Sequence, residues 1–262
     1  MSLTRSLDGA KKAYEKKDKD AAKAAHDGIF AKEEHKKGGE YLKSAVYGGL
    51  DGIITTFAVV AGVTGAALSP AIILILGFAN LIGDGISMAV GDYLSTKAAR
   101  EYYDSERARE KWEVDNYPEG EKKEMVEIYA QKDMSKKDAQ GMVNILSKYK
   151  NAWVDVMMAE ELGLIKDDGS PVKNAAVTFF SFSIFGVIPL LIYVLAIFFP
   201  QNSQNSFLFA SALTALTLFI LGSLKSKFTG QNWIISGFQM LAVGSLAAIA
   251  AFLVGQFLAG LA

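Results

Sequence analysis

Residues 175–199 read AAVTFFSFSIFGVIPLLIYVLAIFF, a run with no charged residue. At a rise of about 1.5 Å per residue, roughly 20 apolar residues cross a hydrocarbon core, so this run is long enough to span a bilayer. Working outward from it, five stretches qualify as spans: 44–67, 70–94, 174–199, 206–224 and 233–261. Residues 174–262 contain no Asp or Glu, and Lys225 and Lys227 are their only basic residues. Charge gathers instead in residues 1–43, with 11 basic and 8 acidic side chains, and in residues 95–173, with 14 and 17. A soluble domain spreads charge over its surface. Segregation of this kind marks a polytopic membrane protein. The absence of cysteine excludes a disulfide scaffold, Cys-ligated zinc, an iron–sulfur site and a cysteine nucleophile. A net charge of −1 gives no ground for nucleic-acid binding.

The expected fold is therefore all-α: five transmembrane helices, with a helical domain between the second and third. The chain divides into a charged N-terminal arm (1–42), spans one and two (43–94), a cytoplasmic loop domain (95–173) and spans three to five (174–262). The arm, the loop and the short 225–232 connection hold every Lys and Arg. Five spans put all three on one side, and the positive-inside rule makes that side the cytosol. No secretory signal is expected, because residues 1–40 lack an apolar core. Residues 10–37 favour a solvated helix with charges alternating in sign. His26 and His35, the two histidines, are read as bystanders.

Acids inside the first two spans are costly to bury in lipid and are functional candidates for that reason. Asp51 lies about two turns into span one, among Gly48, Gly49 and Gly52. Span two carries Asn80, Asp84, Met88 and Asp92 at intervals of four, which places them on one helix face. An amide, a thioether and carboxylates along one stripe suit a divalent first-row metal such as Fe²⁺ or Mn²⁺. Asp92 lies near the cytosolic end, at the interface.

Residues 95–116 continue the second helix until Pro118. Glu106, Glu110 and Glu113 share a face of this helix. Glu121, Glu124 and Glu127 follow at intervals of three. Residues 135–149 read as an amphipathic helix capped by Ser135. Beyond them, Met157, Met158 and Glu161 fall within about one turn. From spacing alone, the glutamates fit a solvated acidic face as well as a ligand set, and the methionines fit a core.

These residues carry a resemblance. Residues 48–66 (GGLDGIITTFAVVAGVTGA), 85–97 (GISMAVGDYLSTK), the paired glutamates either side of Pro118, residues 153–164 (WVDVMMAEELGL) and the FTG at 228–230 are similar in order and spacing to the vacuolar iron transporter family. That family includes plant vacuolar iron transporters and the yeast vacuolar iron and manganese importer. The likeness spans about residues 40–260. It implies a homodimer of five-helix protomers that moves Fe²⁺, and often Mn²⁺, from the cytosol into an acidic compartment by proton antiport. It matches Asp51 and Met88 to membrane-path residues. It matches Glu110, Glu113, Glu121, Glu124, Met157, Met158 and Glu161 to the metal-binding set of the loop, and Glu40 to a further acidic position. The chain departs from plant members at Asn80, where they carry glutamate. Asp84, one turn on, is placed to supply that carboxylate.

The expected function is proton-coupled export of Fe²⁺, with Mn²⁺ as a second ion, across a vacuolar or other acidic-organelle membrane, or across the cell membrane in a prokaryote. The expected partners are metal ions, protons, lipid and a second copy of the chain, with no prosthetic group and no nucleic acid. The alternative is a membrane-anchored metal buffer or structural membrane protein through which nothing passes. An enzyme of the di-iron type is not expected, because its Glu-x-x-His motifs are absent.

Overall fold

A computed structural model describes residues 12–14, 16–21, 41–166, 169–199, 205–229 and 231–261. Glu40, His26 and His35 lie outside the described residues. Among the described residues the chain is helical, with no strand. The principal helices are α1 (Leu42–Gly65), α2 (Pro70–Asn116), α3 (Pro118–Gln131), α4 (Lys136–Leu146), α5 (Lys150–Glu160), α6 (Pro171–Gly186), α7 (Ile188–Phe198), α8 (Ser206–Thr229) and α9 (Trp233–Ala259). Two compact units result. One comprises residues Met1–Met88 and Ala176–Ala262, the other Ala89–Ala175. Helix α2 contributes its first part to one unit and the rest to the other, as expected from a pattern without a breaker before Pro118.

In the larger unit α1, α2, α8 and α9 are each long and apolar enough to cross a membrane, and α6 with α7 makes a fifth span if the pair is taken as one. The quoted run is thus not one straight helix: it bends by 46° between α6 and α7. Pro189 explains the bend. Its ring carries no N–H and crowds the carbonyl four residues back, so the helix restarts with Pro189 in its first turn.

Small residues set how α1 sits. A Cβ at Gly52 would lie 2.3 Å from the Phe182 carbonyl oxygen of α6, and one at Gly48 would lie 2.6 Å from that of Thr178. Toward the other end, a Cβ at Gly65 would meet the Phe252 carbonyl of α9 at 2.2 Å. Between helices in lipid there is little hydrophobic drive, so this backbone-to-backbone approach supplies the attraction. Ser181 adds a hydrogen bond from its hydroxyl to the Ala45 carbonyl, 2.5 Å. The apolar core behind these contacts gathers Phe57, Val60, Val63, Ile73, Leu190 and Tyr193, with a second cluster at Ile53, Leu218, Leu221 and Met240.

Gly52→Ala is expected to destabilise this unit by about 1–3 kcal/mol, the usual cost of overpacking. A Cβ at Gly141 in α4 would have no neighbouring atom within 4 Å, so Gly141→Ala should instead gain a few tenths to about 1 kcal/mol from helix propensity. Thermal unfolding of the two variants in mild detergent checks the contrast. Equal melting temperatures would contradict the packing described.

Candidate metal centre

The smaller unit is built around Val114, Met125, Val143, Trp153, Val154, Met157 and Met158. Its helices start where the sequence signals say. Pro118 opens α3 with φ already set, and Glu119 and Glu121 occupy the first turn, where the helix dipole favours acids. Ser135 caps α4, its hydroxyl accepting the Asp138 N–H at 3.2 Å. At the α2–α3 corner the chain turns at Tyr117, whose backbone leaves the helical region (φ −136°, ψ 54°) before Pro118 restarts the helix. Three ion pairs tie α5 to its neighbours: Arg107 with Asp155 at 2.7 Å, Lys150 with Asp115, and Lys132 with Glu160. Exposed pairs of this kind contribute at most about 1 kcal/mol each, so the apolar core does most of the positioning.

This arrangement brings together Glu110 from α2, Glu121 from α3 and Glu161 from the end of α5, with one carboxylate oxygen of each within 4.8 Å of the others. Glu110 is completely buried and Glu121 nearly so, while Glu161 sits at the solvent edge. Both Glu110 oxygens and Oε2 of Glu121 are buried with no hydrogen-bond partner. A buried carboxylate without a donor costs several kcal/mol, so the pair calls for a proton or a cation between its members. Burial, then contact with the Glu121 carboxyl, then the charges of Glu161, Glu121 and Glu113 push the Glu110 carboxyl up to about 8. Burial raises Glu121 as well. Glu161 is raised by partial desolvation and by the charges of Glu124 and Glu121.

Glu113 and Glu124 lie within electrostatic reach of the trio. Glu113 is held by Arg109 at 2.6 Å, and the same guanidinium binds Glu106 at 2.9 Å. Met157 and Met158 are fully buried in the apolar core, on the helix that ends at Glu161. The solvated acidic face expected as one option from spacing therefore does not hold for Glu110 and Glu121. Reading the sequence alone misses Arg109, although its spacing of three from Glu106 and four from Glu113 marks it as a partner for both.

In the larger unit Asp51, Asn80, Asp84 and Met88 are all half-buried. Asp84 is near enough for its charge to act on Asp51. Thr55, also missed in the sequence, joins the two helices: its hydroxyl donates to the Asp51 carbonyl at 2.8 Å and receives the Asn80 amide at 3.5 Å. Its place one turn after Asp51 is the available signal. Asp92 accepts the Thr96 hydroxyl at 3.3 Å.

Fold and site together define a polytopic helical membrane protein carrying a carboxylate centre in a separate helical unit. Comparison with known families matches residues 42–256 to the VIT family, and the chain belongs to that family. It is 43% identical to a protein of Toxoplasma gondii named vacuolar iron transporter, over 97% of this chain and 89% of that one. It is 39% identical to a protein of the same name from Plasmodium falciparum, over 95% of each. It is 35% identical to vacuolar iron transporter 1 of Arabidopsis thaliana, over 84% of this chain and 87% of that one.

Proposed function

We propose that this protein carries Fe²⁺, and Mn²⁺ as a second ion, from the cytosol into an acidic compartment such as a vacuole, in exchange for protons. The observation that carries the reading is the Glu110–Glu121–Glu161 trio: two buried carboxylates in contact with each other and a third at the rim, with both Glu110 oxygens and Oε2 of Glu121 buried and receiving no donor from the rest of the protein. Carboxylate oxygens in that number suit a divalent first-row cation; Met157 and Met158, in the core on the helix that leads to Glu161, are the candidate thioether ligands. The names of the relatives, over most of the chain, support iron as the cargo.

In this reading the cytosolic unit captures the ion, with Glu113 and Glu124 adding negative charge around the trio and Glu40 as a further candidate ligand. Asp51, Asp84 and Met88 pass the ion through the membrane, with Asn80 as a neutral member of the stripe. An acid must lose its proton before it binds a metal, so each such carboxylate exchanges one cation for another, which is the elementary act of antiport. A homodimer would seat a second copy on the exposed side of α2, where Gly83 and Gly91 have nothing within 4 Å of a Cβ and Ile82, Ile86 and Val90 are uncovered.

Uptake into proteoliposomes tests the reading. Fe²⁺ and Mn²⁺ are expected to enter faster when the lumen is acidic, with protons leaving as metal arrives. Metal binding without uptake would instead establish the membrane-anchored buffer.

A further inference from the structure

We propose that Arg109 is a resident competitor of the metal: its guanidinium holds Glu113 away from the buried trio and so limits how tightly a divalent cation is retained. The inference rests on the metal reading above. Arg109 lies on α2 three residues after Glu106 and four before Glu113, on one helix face. Its Nε and Nη2 donate to Glu106 Oε2 at 3.0 and 2.9 Å, and its Nη1 donates to Glu113 Oε2 at 2.6 Å. Glu113 is thus engaged on its own helix, and it is absent from the trio whose oxygens converge, although its charge is felt at all three members. The Arg109 charge reaches Glu121 and Glu161 in turn.

Two consequences follow from a guanidinium that never deprotonates. With the site empty, it offsets part of the repulsion among the clustered carboxylates. With a divalent ion bound, it repels that ion, and Glu113 can join the ligands only by giving up a 2.6 Å ion pair. Passage through a transporter needs binding strong enough to admit the ion and weak enough to release it. Arg109 supplies the weakening. Its side chain is 42% exposed, so salt screens the effect.

The experiment measures Mn²⁺ binding to the full chain in detergent by calorimetry, for the unaltered protein, Arg109→Gln, Arg109→Lys, Glu113→Gln and the double variant Arg109→Gln with Glu113→Gln. Arg109→Gln is expected to bind about tenfold tighter at low salt, with the gain shrinking as ionic strength rises. Arg109→Lys keeps the charge but not the fork, so it should fall between Arg109→Gln and the unaltered chain. Glu113→Gln should cost more affinity when combined with Arg109→Gln than when made alone, since only without the guanidinium is Glu113 available as a ligand. In proteoliposomes Arg109→Gln should lower both KM and the maximal rate, a split that a purely structural role would not give. Unchanged or weaker binding in Arg109→Gln overturns the inference. If that variant does not fold, unchanged or weaker binding in Arg109→Lys does so. Failure of the unaltered chain to bind Mn²⁺ overturns the metal reading itself and this inference with it.

Discussion

Asp51→Ala is expected to abolish metal uptake into proteoliposomes while leaving Mn²⁺ binding by the smaller unit intact. Asp51 is the carboxylate that α1 brings to the stripe on α2, within reach of the Asp84 charge and tied through Thr55 to Asn80. Removing a carboxylate inside a membrane span takes away a charged ligand where desolvating an ion is costly, so an ion crossing without it would meet a higher barrier. A drop of at least about a hundredfold in rate is the expected scale, in line with the effect of removing even an outer partner of a metal site. Met88→Ala should be severe but less complete, because a thioether gives a weak bond and no charge. Asp84→Asn should blunt the response to a pH gradient more than it blunts metal binding. Normal transport by Asp51→Ala would sink the assignment of the membrane path.

The second large effect belongs to the buried pair. Glu110→Gln together with Glu121→Gln should weaken Mn²⁺ binding by at least about a hundredfold, since these are proposed ligands and not merely their supports. The same carboxylates give the metal-free protein a distinctive pH dependence. A carboxyl whose pKa is raised on folding holds its proton more tightly in the native state than in the unfolded one. The folded state is then favoured at low pH and loses stability as pH rises from the ordinary glutamate value of about 4.5 to about 8 for Glu110. Above that window the loss is complete. Without metal, the smaller unit should therefore melt at a lower temperature at pH 8 than at pH 5.5, and saturating Mn²⁺ at pH 8 should reverse the difference. Single Glu110→Gln removes the buried charge and leaves a neutral amide beside the Glu121 carboxyl, so it should raise the metal-free melting temperature at pH 8, by about 5 °C for a unit of this size. Fluorescence of Trp153, buried in the core of this unit, reports the transition. A metal-free melting temperature that rises from pH 5.5 to pH 8 would contradict the buried, proton-holding pair.

How much of this was legible before the fold was known depends on the range of the interaction concerned. The spans, the continuation of α2 to Asn116, the Ser135 cap and the restart at Pro118 are local properties of composition, period and backbone chemistry, and the sequence alone determined them. So did the polar stripe on α2, because residues four apart share a helix face wherever the helix is placed. The bend at Pro189 was also written locally, in a residue without an N–H, although the unbroken hydropathy of residues 175–199 hid it.

What only the tertiary structure decided is which polar groups lose their water. Glu110, Glu113, Glu121 and Glu124 carry the same side chain at the same spacing, yet Glu110 and Glu121 are buried, Glu113 is turned to Arg109 and Glu124 is exposed. That sorting depends on the turn at Tyr117–Pro118 and on the core that draws α5 and Glu161 alongside α2 and α3. Desolvation, and with it the need for a proton or a metal ion, is set by contacts between helices that spacing along one helix cannot encode.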